Sequence, residues 1–194
     1  NRRTKAPDTR ETTALRGAFL ANQLFARLDD AIRSRLTPHL QIVQLEQLEV
    51  LFRAHDPLRV VYFPSTAVVS LVSQLESGQT LEVGMVGRDG IVGTALFPGI
   101  VAMSCDAIVQ VPWSALRLSA DVLRREMLAD EALHSAVGRY AQVLLTKCMQ
   151  MSLCNMFHTV EQRCVRWLLT ANDLNANDHI AVTQEMLAVL LGVH

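Results

Sequence analysis

The first pattern in this chain is helical. From about residue 18 to residue 40, apolar positions return every three or four residues, which predicts helix with a restart at Thr37-Pro38. Residues 1–17 carry several charges without apolar periodicity, so we expect them to form a mobile N-terminal arm.

A different pattern begins at Gln41, where short alternating or β-branched runs follow one another between turn residues. These runs predict strands over residues 41–45, 48–52, 59–63, 67–75, 80–86 and 107–111. Such short, nearly evenly spaced strands without intervening helices are typical of a small antiparallel barrel or jelly roll. They do not fit a doubly wound parallel sheet.

A long helix is predicted over roughly residues 120–156, because this stretch holds no Pro and a single Gly, Gly138. Six of its residues recur in steps of four and three, as in a heptad seam that we expect to join two copies of the chain: Val137, Ala141, Leu144, Cys148, Met151 and Asn155. A second apolar set faces elsewhere: Leu133, Tyr140, Leu145, Met149 and Leu153. One stripe can pack on the barrel while the other meets a partner helix. The alternative is a helix with both faces buried in its own domain.

The C-terminal pattern is a helix over residues 160–174, a polar turn, a short strand over residues 179–182 and a capped apolar helix. Thr183 can cap that last helix, while Ala188 and Gly192 suit the close helix approach and the turn of a helix-turn-helix. A DNA-reading helix is expected just after Val193. The alternative is an ordinary amphipathic helix that ends at a Gly cap.

Composition and charge set limits on function. Half of the residues are hydrophobic, which suffices for a core, and no apolar run reaches membrane-spanning length, so we expect a cytoplasmic protein without a membrane partner. The net charge of −1 gives no overall basic character, which counts only weakly against DNA binding because the reading helix normally carries the basic residues. The chain starts at Asn1 and stops within the motif, so we expect further residues on both sides.

The sequence offers little for catalysis or metal binding. Cys105, Cys148, Cys154 and Cys164 form no CxxC pair, and we expect buried reduced thiols, with a redox or metal sensor as the alternative. The predicted barrel contains one histidine, His55, so a cupin-type metal site has little support, and no Ser-His-Asp pattern is present. We therefore expect neither an enzyme nor a metal site.

The order of these elements and several local phrases resemble the Crp–Fnr family of bacterial transcription regulators. The phrases are RVVYFP with VVSLV, GQTLEVGMVGRDGIVG, VQVP, and CN with HTVEQR before WLL, and the resemblance covers about residues 22–194. It implies an α+β fold: an antiparallel β-roll sensor domain with N-terminal helices over residues 18–118, a dimerisation helix over 119–157 and an incomplete winged helix-turn-helix over 158–194. It also implies a homodimer that senses a signal and binds double-stranded DNA.

The departures from that family concern the ligand. Cyclic-nucleotide binders in the family use a Gly-Glu pair and an Arg, but here Asp89-Gly90 stands at the first position and no Arg occurs between Phe97 and Asp106. We expect a degenerate pocket around Gly87, Arg88, Asp89, Gly90 and Gly93, with a ligand other than cyclic AMP or with none.

The expected DNA contacts within the sequence are modest. Thr183 and Gln184 can contact a phosphate at a helix N-terminus, and the exposed-looking Arg163 and Arg166 can add backbone contacts. A barrel that serves only as a protein-interaction module remains a third functional class, and it would not need a helix-turn-helix.

Overall fold

The computed structural model describes residues 17, 21–76, 78–96, 102–175 and 180–193. The predicted N-terminal arm, apart from Gly17, lies outside the described residues. The helical pattern that follows it divides into α1 (Gln23–Ala26), α2 (Asp30–Leu36) and a 3₁₀ turn (Thr37–His39). Asn22 starts α1 because its side chain accepts a hydrogen bond from Phe25 N at 2.9 Å.

Seven strands in the described part of the chain form two antiparallel sheets. The strands are β1 (Gln41–Leu45), β2 (Val50–Phe52), β3 (Val60–Pro64), β4 (Val68–Gln74), β5 (Thr80–Val86), β6 (Asp106–Val111) and β7 (Trp113–Ser119). One sheet has the order β1-β7-β3 and the other β2-β6-β4-β5. The predicted mixed fold with an antiparallel jelly-roll-like domain is confirmed.

The sequence pattern missed β7, the central strand of the smaller sheet. Pro112 looks like the end of the strand region, but a new strand begins directly after it. Trp113, with a φ of 132°, lies where the chain passes from the four-stranded sheet to the three-stranded sheet. Strand β7 then pairs with both β1 and β3. Ala115, Leu116 and Leu118 of β7 are buried.

The predicted long helix is two helices. Helix α3 (Ala120–Ala129) ends before Asp130, whose φ of −140° and ψ of 109° are extended, and α4 (Glu131–Phe157) begins after it. The Asp130 side chain caps α4 by accepting hydrogen bonds from Ala132 N at 3.0 Å and Leu133 N at 3.1 Å. The prediction of one continuous helix is therefore wrong at this residue.

The C-terminal elements are α5 (Val160–Leu174) and α6 (Gln184–Leu191). Helix α5 has the predicted bounds and opens with a capping box between Thr159 and Gln162. The predicted strand over residues 179–182 is wrong in its described part, because residues 180–182 form no strand. Instead of a neighbouring strand, the side-chain Nε2 of Gln47 donates to the Ala181 carbonyl at 2.8 Å.

Two hydrophobic clusters organise these elements. The inner cluster lies between the sheets, includes Phe63, Val69 and Leu116, and continues into α4 through Leu133 and Val137. The outer cluster lies on the opposite face of the four-stranded sheet, where α5 and α6 cover it. Its buried members are Val68, Val72, Met85, Val111, Trp167, Ala171, Leu174 and Leu190.

Candidate functional site

The predicted helix-turn-helix residues lie at the two ends of α6. Thr183 is its N-cap and accepts a hydrogen bond from Met186 N at 3.2 Å, and both Thr183 and Gln184 are exposed. Gly192 ends the helix with a φ of 63°, and Val193 N donates to the Ala188 carbonyl at 2.9 Å. The exposed N-terminus of α6 is open to an anion.

Arg163 and Arg166 are not the solvated helix charges that the sequence suggested. Arg163 Nη1 donates to the carbonyl of Leu191 at 2.9 Å, so this arginine joins α5 to the C-terminal end of α6. Arg166 is half-buried, and its Nε, like that of Arg163, has no hydrogen-bond partner within the described residues. Arg163 therefore serves a contact within the chain in this arrangement.

The predicted heptad stripe of α4 lies partly against its own barrel, because Val137, Leu144 and Cys148 pack in the inner cluster. Val137, Leu144 and Met151 are buried, and Ala141, Cys148 and Asn155 are half-buried. Three residues of the second apolar set are open to solvent instead, and Met156 continues their row. We use the name "exposed α4 stripe" for Leu145, Met149, Leu153 and Met156, which are 52%, 63%, 55% and 77% exposed. Their spacing of four, four and three residues places them on one side of the helix.

The turn predicted as a degenerate ligand pocket is filled by helices of the same chain. A Cβ at Gly90 would overlap the ring of Tyr140, and a Cβ at Gly87 would lie 2.6 Å from both Cβ and O of Leu174. Arg88 N donates to the Leu174 carbonyl at 3.2 Å, and Asp89 Oδ2 pairs with Lys147 Nζ at 2.5 Å.

Gly93 faces the barrel side of the same turn, where a Cβ would lie 2.8 Å from Val61 Cγ1. Glycine is required at this position for a second reason, its φ of 112°. The five turn residues therefore join the barrel to α4 and α5. The neighbouring stretch 97–101 lies outside the described residues.

Sequence reasoning missed the buried carboxyl of Glu82. In an alternating strand a glutamate is normally solvent-facing, but here α5 covers the outer face of β5 and Glu82 is 3% exposed. Its Oε2 accepts hydrogen bonds from Trp167 Nε1 at 3.0 Å and from the Ser70 hydroxyl. Burial, opposed by these hydrogen bonds and by the charge of Arg166, raises the pKa of Glu82 to about 7.

Cys105 and Cys148 lie in surroundings that disfavour the thiolate. Burial is the main cause that raises the pKa of Cys105 to about 11 and raises the pKa of Cys148. All four thiols are free. In the described part of the chain, no three His, Cys, Asp or Glu side chains converge as a metal site requires. The helices described here also lack the length and apolarity needed to cross a membrane.

A comparison with protein families finds a match for the barrel. Residues 42–130 match the cyclic nucleotide-binding domain family. A search of functionally characterised proteins finds no significant sequence match.

Solved structures share the fold over most of the chain. The c-di-GMP-responsive global regulator CLP of Xanthomonas campestris has 20% identity over 86% of both chains, with a TM-score of 0.65. FixK2 of Bradyrhizobium japonicum has 15% identity over 79% of this chain and 78% of its own, with a TM-score of 0.66. A putative Crp/Fnr-family transcriptional regulator of Eubacterium rectale has 12% identity over 90% of this chain and 82% of its own, with a TM-score of 0.67.

Proposed function

We propose that this protein is a Crp–Fnr-type transcriptional regulator that senses a signal through its barrel and binds double-stranded DNA as a homodimer. The observation that carries the proposal is the order of elements along the chain. A cyclic nucleotide-binding-type barrel is followed by a long helix with an unpartnered apolar stripe, then by α5, and then by α6, whose N-terminus is exposed and capped. The fold shared with the regulators of Xanthomonas, Bradyrhizobium and Eubacterium supports it.

The exposed α4 stripe is the proposed dimer surface. Large apolar side chains in one row on a long helix are costly to leave in water, and a second copy of the same helix can cover them through a two-fold axis. Phe157, at the end of α4 and 73% exposed, extends the surface. The stripe Val137–Asn155 that the sequence favoured for dimerisation instead supports the barrel.

The proposed DNA contact begins at the N-terminus of α6. Thr183 and Gln184 are exposed there, where the helix dipole favours a phosphate, and such a contact positions a protein without reading sequence. Base recognition belongs to the helix expected after Val193. In the present arrangement Arg163 is engaged within the chain and Arg166 is half-buried, so we assign them no DNA contact.

The proposed signal is not a cyclic nucleotide. The turn at Gly87–Gly93 packs against Tyr140, Lys147 and Leu174, and the sequence lacks the Glu and Arg that nucleotide binders use there. Neither catalysis nor a bound metal is part of the proposal.

Selection from random duplex DNA tests the proposal with the full-length protein, including any residues that follow His194. We expect enrichment of an inverted repeat with half-sites about one helical turn, roughly 34 Å, apart, because a two-fold dimer fixes the spacing of its reading helices. Gln184→Glu should weaken binding to all selected sequences about equally, by placing a carboxylate beside the phosphate. Gln23→Glu, an identical change on exposed α1, should leave binding unchanged. Recovery of no preferred sequence would refute the DNA-binding proposal.

A further inference from the structure

A single carboxyl lies where the barrel meets the C-terminal helices. We use the name "helical unit" for α5 and α6. Glu82 projects from β5 into the outer cluster, and the indole of Trp167, 1% exposed, covers it from the helical unit. The other neighbours are mostly apolar residues of β4, β5, β6 and α5, among them Val72 and Ala171.

The ionised carboxylate is poorly compensated in this position. Oε2 accepts both of the hydrogen bonds, from Trp167 and Ser70, whereas Oε1 is buried and has no partner within the described residues. The titratable and charged groups that face Glu82 are Arg166 of α5 and Cys148 of α4. In the described part of the chain no ion pair joins Arg166 to Glu82, so the charge lacks a close counter-ion.

The neutral carboxyl fits the same position better. A protonated Oε2 can donate to the Ser70 hydroxyl, which can act as acceptor, and still accept from Trp167 through its remaining lone pair. Protonation also removes the cost of holding an unpaired charge in an apolar cluster.

We propose that Glu82 is a protonation-dependent latch, which holds the helical unit on the barrel while its carboxyl is neutral and releases the unit when the carboxyl ionises. Water can reach an ionised Glu82 only if Trp167 and the rest of the helical unit move away from the sheet. Strands β4 and β5 are fixed by pairing with each other and by the inner cluster beneath them. The helical unit is the neighbour that can leave, because it is attached from outside the barrel.

The direction of the pH effect follows from the raised pKa. Glu82 binds its proton more tightly in the docked state, with a pKa of about 7, than in water, where the ordinary value is 4.5. Docking is therefore strongest at low pH and has lost this contribution once pH has risen through 7. Between about pH 4.5 and pH 7 the docking equilibrium constant should fall about tenfold per pH unit, because undocking releases one proton there, and above pH 7 it should level off.

Release would change what α6 can contact. In the docked state Leu190 and Leu191 are buried, and a Cβ at Gly192 would lie 3.2 Å from Leu81 Cδ1 of β5. Undocking frees this apolar side of α6 for a following helix, a consequence that rests on the proposed function. The docking equilibrium itself does not depend on DNA and can be measured without it.

Hydrogen exchange of the full-length protein, measured from about pH 4 to about pH 9 and corrected for the intrinsic pH dependence of exchange, tests the latch. In wild type, the opening constant of amides in α5 and α6 should rise about tenfold per pH unit between about pH 4.5 and pH 7 and level off above pH 7. In Glu82→Gln it should stay flat, because the amide cannot ionise. Amides of β3 and β7 report the barrel and should show no such slope in either protein.

Two control variants separate Glu82 from other titrating groups. Glu161→Gln makes the same change at an exposed carboxyl of α5, and His158→Gln removes an exposed histidine that lies beside Arg166 in the groove between α4 and α5. Both should keep the wild-type slope. A flat wild type, or a slope that persists in Glu82→Gln, would overturn the latch.

A third variant keeps the test decisive if Glu82→Gln does not fold. Trp167→Phe removes a hydrogen bond that favours the ionised carboxyl, so the pH at which the slope levels off should move upward. An unchanged or lower levelling-off pH in this variant would also overturn the latch.

Discussion

The inner and outer clusters differ in what they bury. The buried members of the inner cluster are almost all apolar, with Phe25 and Phe63 meeting edge to face at a ring-centroid distance of 5.4 Å. The face under the outer cluster carries buried polar side chains, Ser70 and Glu82. Glu82 Oε1 has no hydrogen-bond partner among the described residues, and in the inner cluster the same holds for the Tyr140 hydroxyl.

This difference indicates two kinds of attachment. A core of almost entirely apolar side chains is costly to open, since opening it exposes apolar area at nearly every position. An interface with unsatisfied buried polar atoms is less stable per unit of area, because those atoms regain hydrogen bonds with water on opening. The composition of the outer cluster therefore suits a contact that opens and closes.

The largest expected effect comes from cutting one large side chain in each cluster. Phe63→Ala should lower the free energy of unfolding of the whole barrel by about 3–5 kcal/mol. Leu174→Ala should loosen α5 while leaving the barrel within about 1 kcal/mol of wild type. Urea unfolding followed by circular dichroism and by Trp167 fluorescence, in a Trp113→Phe background, separates the two events. Identical loss of barrel stability in both variants would mean that the clusters unfold as one.

Neighbouring residues of α4 provide the next test. Leu144 is buried in the inner cluster and Leu145 belongs to the exposed α4 stripe. Leu144→Glu should cost several kcal/mol of stability, because it buries an unpaired charge. Leu145→Glu should leave the fold intact and weaken a dimer at least about tenfold, as measured by sedimentation velocity. A wild-type protein that is monomeric at micromolar concentration would contradict the proposed dimer surface.

A smaller effect is expected where the barrel turn meets α4. Gly90→Ala should destabilise the protein by about 1–3 kcal/mol, because the added methyl group has no room beside the Tyr140 ring. Tyr140→Ala vacates that space, so the second substitution should cost less in the Gly90→Ala background than alone. Thermal unfolding of the four proteins in this double-mutant cycle gives the coupling energy. Strict additivity would mean that the two residues do not pack against each other.

The sequence was sufficient where a segment's own pattern determines its structure. Strands β1 and β5 have the predicted bounds because alternation and flanking turn residues both lie within the segment. Helix α5 was also predicted exactly, from an apolar periodicity that begins at Val160 and stops before the polar turn.

Prediction from the sequence failed where a residue's role depends on a partner that is far away in the chain. Asp130 resembles an ordinary helix-surface residue, but it caps α4 and forms an ion pair with Arg35, far away in the chain. Glu82 has the spacing of a solvent-facing residue in β5, and only the position of Trp167 makes it buried. No local pattern contains that information, because tertiary packing decides which sheet face is covered.

The smallest expected effect is that of cyclic nucleotides on the barrel. A cyclic phosphate carries a negative charge that needs a cation or several N–H donors, and the described turn already uses Arg88 N and the Asp89–Lys147 pair for contacts with the helices. We expect cyclic AMP and cyclic GMP to bind more weakly than micromolar, that is with less than about 8 kcal/mol of binding free energy. Isothermal titration with each nucleotide measures this, and 5′-AMP serves as the matched non-cyclic control. Micromolar binding of a cyclic nucleotide but not of 5′-AMP would show that this turn moves aside for a ligand, and the signal would then have to be reassigned.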